Sequence, residues 1–398
     1  MVKKIISFIL FFLISINFVN ATEVDVISEK YILYNMNEGV ILDEKDAYSE
    51  TYIASLTKIM SVIVALENID DYEKKVTITS DMLKDIDWDV AVTGFSINQE
   101  VTYNDLLYGA ILSSGADSIN ALGYSIAGNM DEFVKLMNNK VKELGLKNTK
   151  FANAIGLYDE NNYSSAYDVA QILIYSLKNK KFKEIFETKE YKLSSGKDIK
   201  STLYYYNKNS DINVEYIKGA KTGYINASGY CLASTATINN VDYLLVTLNA
   251  RGSTQNNHIL DSTKIYDYFS SNYSYQNIVS RDDIVVNLNT KYAKEKNINI
   301  KSGVNIDKYL KNGFDKTKLK YEYNGISKID ATTKIGTKIG TIKVIYNDEV
   351  LDEFDLLFNE KLTLSVLGIM YKNNFLIIAC ILLIILFSLP SKKKRKRK

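Results

Sequence analysis

Three short fragments carry the residue types of an acyl-transfer site: Ser55-Leu56-Thr57-Lys58, Ser114-Gly115-Ala116 and Lys221-Thr222-Gly223. A serine hydroxyl is a poor nucleophile until a neighbouring base takes its proton. At helical spacing i, i+3, Lys58 stands one turn from Ser55 on the same face, within reach to be that base. It must first be neutral, which requires a pKa depressed by burial or by a neighbouring positive charge. Lys221, arriving from a strand, is the candidate charge. Ser55 at a helix N-terminus also offers its own backbone N–H to a developing oxyanion, and the N–H of Tyr224 is the expected second donor. Gly223 lets a substrate backbone lie close to that strand, and Lys221 and Thr222 can bind a carboxylate. A Ser-His-Asp triad would have to rest on the single histidine, His258, and no Gly-x-Ser-x-Gly elbow accompanies it.

Ser-x-x-Lys recurs at Ser194-Ser195-Gly196-Lys197 and at Ser391-Lys392-Lys393-Lys394, so the pattern alone discriminates nothing. Context separates the copies. The one at Ser55 opens an apolar run, Ile59 to Leu66, that reads as a buried helix; the second sits in a Ser/Gly turn and the third in a basic tail. Lys-Thr-Gly occurs once, before a strand-like stretch from Gly229 to Thr237. Arg251 is a second candidate carboxylate binder. His258 reads as a surface polar residue, and nothing places Trp88 or the 30 tyrosines.

These residues need a scaffold. Tyr31–Tyr34 and Gly39–Leu42 read as a hairpin, Ser55–Glu67 as a central helix, and Asp105–Ile126 as helix broken near Ser113-Ser114-Gly115, where a turn can present side chains into a cleft. Ser165–Lys178 reads as an amphipathic helix with Asp168 in its first turn. Tyr230–Thr237 and Tyr243–Asn249 read as a strand pair. From Asp282 the pattern changes to short strands, such as Ile284–Leu288, Lys318–Tyr323 and Ile342–Tyr346. The expected domains are therefore 22–275, holding all three motifs, and a small all-β domain, 280–360, read as a spacer.

Residues 1–21 have the charged, apolar and small-residue regions of a secretory signal. Residues 375–390 are almost uninterrupted apolar sequence followed by a basic tail, 391–398. They are expected to form a transmembrane helix, with the catalytic domain outside and the tail cytoplasmic. The leader and tail hold nine of the 49 basic residues and none of the 47 acidic ones, leaving residues 22–390 at about −7. That balance argues against nucleic acid as a partner. The two cysteines, Cys231 and Cys380, fall in different regions and are not expected to pair, so the exported part must be held by its core.

With these motifs the chain resembles the serine-type D-alanyl-D-alanine carboxypeptidases, the low-molecular-mass penicillin-binding proteins. The similarity runs from about Tyr31 to Phe269 and includes Ala54–Met60, Asp105–Gly109, Ser164–Asp168 and Gly219–Tyr224. The resemblance implies an α/β, serine β-lactamase-like fold, an antiparallel sheet flanked by helices plus a mostly helical lobe. It implies Ser55 as acylated nucleophile, Lys58 as its base, Ser114 as proton relay and Lys221-Thr222 as carboxylate site. No metal or organic cofactor is expected, and the implied partners are peptidoglycan stem peptides ending in D-Ala-D-Ala and β-lactam antibiotics.

One position departs from the family. Ala116 stands where the Ser-x-Asn motif has asparagine, and cannot bond a substrate amide or orient Lys58. Asn120, four residues on and on the same helical face, is the candidate replacement, with Asp117 or a water as alternatives. Ala116 also keeps open a penicillin-binding fold with weak turnover serving as a wall-binding or regulatory module. A β-lactamase is a third reading, disfavoured by the trailing β domain. Carboxypeptidase against endopeptidase action stays open at this level.

Overall fold

The computed structural model describes residues 24–388 except Asp85 and Ser253. The chain divides after Ser270 into two compact units.

The first unit is built on a five-stranded antiparallel sheet. Its strands are β1 (Ser28–Asn35), β2 (Val40–Lys45), β3 (Ile217–Ile225), β4 (Gly229–Ile238) and β5 (Val241–Ala250), in the order β2-β1-β5-β4-β3. The N-terminal hairpin thus pairs with the last strand, and the Lys-Thr-Gly strand β3 lies at an edge. Side chains alternate across the sheet. Ile32, Tyr34, Ala233, Leu244 and Val246 enter the main core on one face. Ser234 and Thr247 face the other, where they meet Tyr266 and Ser262 of the long helix Asn257–Asn272 at 2.9 and 3.2 Å.

Helix α1 (Thr57–Leu66) runs through the centre of the unit with every residue buried, as the unbroken apolar run after Ser55 required. A 3-10 turn, Ala54–Leu56, precedes it and carries Ser55. Two further helices, α2 (Tyr103–Leu112) and α3 (Ala116–Ala127), pack on α1 and meet at the turn Ser113–Gly115. A reciprocal capping box starts α2: Asp105 N–H donates to Thr102 Oγ1 (3.1 Å) and Thr102 N–H to Asp105 Oδ2 (3.0 Å). Helix α4 (Ala166–Ser176) packs on β1, β4 and β5. Its N-cap Ser165 accepts from Asp168 N–H, and the Asp168 carboxylate ties down Asn148 N–H and Thr149 Oγ1.

The second unit is formed by short antiparallel strands plus one parallel pairing, 289–291 with 328–330. Its own core is apolar and mostly aliphatic, including Ile278, Leu288, Ile300 and Ile342, with Phe358 among them. The tripeptide Lys334-Ile335-Gly336 recurs as Lys338-Ile339-Gly340, and the second copy lies inside the strand Thr337–Tyr346.

Three expectations are corrected. Within its described part, the apolar segment expected at 375–390 holds the helix Asn374–Ser388, of 15 residues. At 1.5 Å per residue that is about 22 Å, short of the ~30 Å hydrocarbon layer. Among the described residues no helix is long and apolar enough to cross a membrane, so the transmembrane helix is not supported. Membrane anchoring through a C-terminal helix, and the single-pass localisation that rested on it, are likewise not supported. His258, expected at the surface, is fully buried. The leader at 1–21 and the basic tail at 391–398 lie outside the described residues.

Candidate active site

Ser55 stands on a tightly held turn. Ala54, just before it, has φ +47°, in the left-handed region that residues with a Cβ rarely adopt. Gly156 lies against this turn at φ +85°, and a Cβ there would fall 2.0 Å from the Ala54 carbonyl oxygen. From the other side comes Gly223, where a Cβ would sit 3.0 Å from Ser55 N. The two glycines therefore let the 152–157 loop and β3 close on the serine together.

Lys58 follows one turn later, fully buried, with Nζ 3.0 Å from Ser55 Oγ. Nζ also donates to the Ile155 carbonyl at 2.6 Å. That carbonyl is held in place by Asn153, whose Oδ1 accepts from the N–H groups of Ile155, Gly156 and Leu157. The sequence reading missed this loop. Its only local signal is an Asn three residues before a Gly, the mark of an Asx-type turn.

The turn between α2 and α3 presents Ser114 in a left-handed conformation, φ +56°. Lys221, buried on β3, donates from Nζ to Ser114 Oγ at 2.9 Å and to the Thr222 carbonyl at 2.8 Å. Thr222 Oγ1 meets Thr202 Oγ1 at 2.6 Å, a contact that sequence spacing did not suggest.

Ser55, Lys58, Ser114, Thr222, Gly223 and Tyr224 all line one cleft of about 570 Å3. Arg251 and Asn120 are not part of its lining. Arg251 is exposed and pins the turn after β3, donating to the carbonyls of Ala227 (2.7 Å) and Asn226 (3.3 Å). Asn120 is buried in α3, 8% exposed. Ala116 is fully buried, its N–H bonded to the Ala91 carbonyl at 2.9 Å.

Burial pushes the Lys58 ammonium down to about 7, while the Asp117 carboxylate pulls the other way. Burial and the charge of Lys58 hold Lys221 well below the usual lysine range. For Lys58 the depressing agent is thus desolvation rather than Lys221. Two ammonium groups in one dry site disfavour each other, so at neutral pH the site is suited to holding a neutral amine beside a hydroxyl. Asp117 takes backbone N–H bonds from Thr93 (2.8 Å), Gly94 (2.7 Å) and Phe95 (3.1 Å), which anchors the loop that brings Val90 and Ala91 to the cleft.

A serine hydroxyl 3.0 Å from a buried amine of lowered pKa, with a second serine bonded to a buried lysine and a threonine hydroxyl pair close by, is an arrangement able to carry acyl transfer. Comparison with known proteins agrees. A family model described as D-alanyl-D-alanine carboxypeptidase matches residues 17–252, and one described as penicillin-binding protein 5, C-terminal domain, matches 273–363. The chain is 31% identical over 329 residues to the D-alanyl-D-alanine carboxypeptidase DacF of Bacillus subtilis, covering 81% of this chain and 82% of that one. To DacA of Haemophilus influenzae it is 33% identical over 229 residues, 55% of this chain and 56% of the relative. Among solved structures, penicillin binding protein 5 from Haemophilus influenzae shares the fold, with TM-score 0.63 and 24% identity over 86% of this chain and 99% of that one.

Proposed function

The chain belongs to the D-alanyl-D-alanine carboxypeptidase family and has that serine-type activity; from this premise we propose how its own residues carry the reaction. Neutral Lys58 takes the proton of Ser55, whose Oγ attacks the carbonyl of the penultimate D-alanine. Charge develops on the carbonyl oxygen between the N–H groups of Ser55 and Tyr224. Ser114 passes its proton to the departing amine and takes back, by way of Lys221, the proton that Lys58 removed from Ser55, so that Lys58 is again neutral. The terminal D-alanine leaves, its carboxylate held until then by Thr222 and Lys221. Water, activated by Lys58, then hydrolyses the ester and restores Ser55.

The observation that carries the assignment is the pairing of Lys58 with Ser55 at 3.0 Å and of Lys221 with Ser114 at 2.9 Å in one cleft. Thr202 supports the carboxylate site by orienting the Thr222 hydroxyl. Arg251 acts one step removed, by fixing the turn at the end of β3. The penicillin-binding fold implies peptidoglycan stem peptides as substrates and β-lactams as ligands. The test is release of free D-alanine from a diacetyl-Lys-D-Ala-D-Ala tripeptide. Wild-type protein should release it and Ser55→Ala should not; release that survives Ser55→Ala rejects the nucleophile assignment.

A further inference from the structure

Strand β3 presents two different sides to the cleft. Its Gly223 side faces the nucleophile, since a Cβ there would meet Ser55 N and Leu56 Cδ1 at 3.0 Å. Thr222 and Tyr224 alternate to the opposite side. On that side Thr222 meets Thr202, the first residue of the short helix Thr202–Asn207, which carries Tyr206 one turn on. Tyr206 and Tyr224 both line the cleft.

These two rings belong to a packed aromatic group. Tyr224 stacks on Tyr230 with ring centroids 4.3 Å apart, and Tyr230 stacks on His258 at 5.3 Å and 13°. Tyr206 meets Tyr230 and His258 edge-on, at 5.9 and 5.4 Å. His258 is fully buried, and neither ring nitrogen has a hydrogen-bond partner among the described residues. Burial lowers its pKa to about 3, so at neutral pH it is an uncharged ring serving as backing. The Tyr224 hydroxyl is tethered to Asn226 Oδ1 at 2.9 Å, on the turn that Arg251 pins. Each ring is therefore braced by another ring or by a hydrogen bond.

We propose that Tyr206 and Tyr224, packed on Tyr230 and His258, wall the subsite of the leaving residue and limit it to a methyl-sized side chain. The enzyme then trims a terminal D-alanine and discriminates against a cross-linked stem peptide, whose leaving residue bears a long chain. This rests on the reading of Thr222 and Lys221 as the site of the leaving residue's carboxylate. With the carboxylate on the Thr222 hydroxyl, the side chain of the leaving residue is directed along the Thr222–Tyr224 side of β3, into the rings. A longer chain has to displace a ring from its stacking partners, and close-packed groups resist such insertion.

The experiment compares two acetylated peptides, diacetyl-Lys-D-Ala-D-Ala and diacetyl-Lys-D-Ala-D-norleucine, by kcat/KM for release of the last residue. Wild-type enzyme is expected to favour D-alanine by ~100-fold, the scale on which a shaped pocket resists added methylenes. Tyr206→Ala should reduce that preference to ~10-fold or less, and Tyr206→Leu, a smaller change that preserves apolar packing, should fall between. Thermal melting checks that each variant is folded, and Tyr206→Leu decides the matter if Tyr206→Ala is not. Equal release of the two residues by wild type overturns the inference alone, as does an unchanged preference in the folded variants. Release of neither residue by wild type overturns the carboxylate-site reading and this inference with it.

Discussion

Lys221 Nζ lies 2.9 Å from Ser114 Oγ, although 107 residues separate them in the chain. The contact joins the edge strand of the sheet to the turn between two helices of the helical lobe, so it reports directly on closure of the cleft. It also gives Ser114 a hydrogen-bond donor, which a serine needs if it is to hand its own proton on.

Ser114→Ala should therefore slow acylation by a fluorescent penicillin by ~100-fold or more, the scale of a lost proton-transfer partner, while the melting temperature stays close to wild type. Acylation at the wild-type rate would remove Ser114 from the reaction.

The state of Lys58 sets the pH dependence. With the neutral amine proposed as the base, acylation should rise with pH through about 7, and Lys58→Arg, permanently charged, should nearly abolish it. The same depression bears on stability. The folded-state pKa lies below the unfolded value of ~10.4, so the unfolded chain binds the extra proton between the two. The destabilisation grows as pH falls from ~10.4 to about 7 and is constant below. Lys58→Met is then expected to melt higher than wild type at pH 7, even though Ile155 loses its donor. A lower melting temperature, or acylation that is flat from pH 6 to pH 9, would contradict the assignment.

Gly156 is required by space and by backbone conformation together. Gly156→Ala puts a Cβ 2.0 Å from the Ala54 carbonyl at a φ of +85°. The serine turn or the 152–157 loop has to move, and the expected results are a destabilisation of ~1–3 kcal/mol and a loss of penicillin acylation. A variant that melts and acylates like wild type would show that the loop shifts freely.

Asp117 and Asn120 divide the question left by Ala116. Asp117 holds the 93–95 loop through three N–H bonds and supports the proton affinity of Lys58. Asp117→Asn should move the acylation pH profile to lower pH, because the field that favours protonated Lys58 is gone. Asn120 lies outside the cleft lining, so Asn120→Ala should change acylation by less than ~3-fold, below the effect of one lost hydrogen bond. A larger loss in Asn120→Ala with no pH shift in Asp117→Asn would return the compensating role to Asn120.

Much of the site was legible from local pattern. The Ser55–Lys58 pairing is a consequence of helical spacing, and the apolar run after it predicted the buried helix α1 that depresses the lysine. The break at Ser113-Ser114-Gly115 marked the turn because serine and glycine tolerate conformations a helix does not. Strand β3 was expected around Lys221 because Lys-Thr-Gly is followed by strand-like sequence. Asp168 in a first helical turn likewise proved to be a capping partner.

Other features were settled only by the tertiary structure. His258 looks like a surface residue in the chain Asn256-Asn257-His258, yet it is buried because Tyr206 and Tyr230 reach it from a helix and a strand elsewhere in the sequence. The Ile155 carbonyl on Lys58, the Gly156 contact with Ala54 and the Thr202–Thr222 pair all join segments with no shared periodicity. The apolar C-terminal segment runs the opposite way: composition marks it as apolar, but among the described residues no helix is long and apolar enough to cross a membrane. Local sequence determines which residues can react and which elements carry them, since propensity and periodicity act over a few residues. Which backbone carbonyl, glycine or ring stands opposite them depends on long-range closure of the fold, to which no short window of sequence is sensitive.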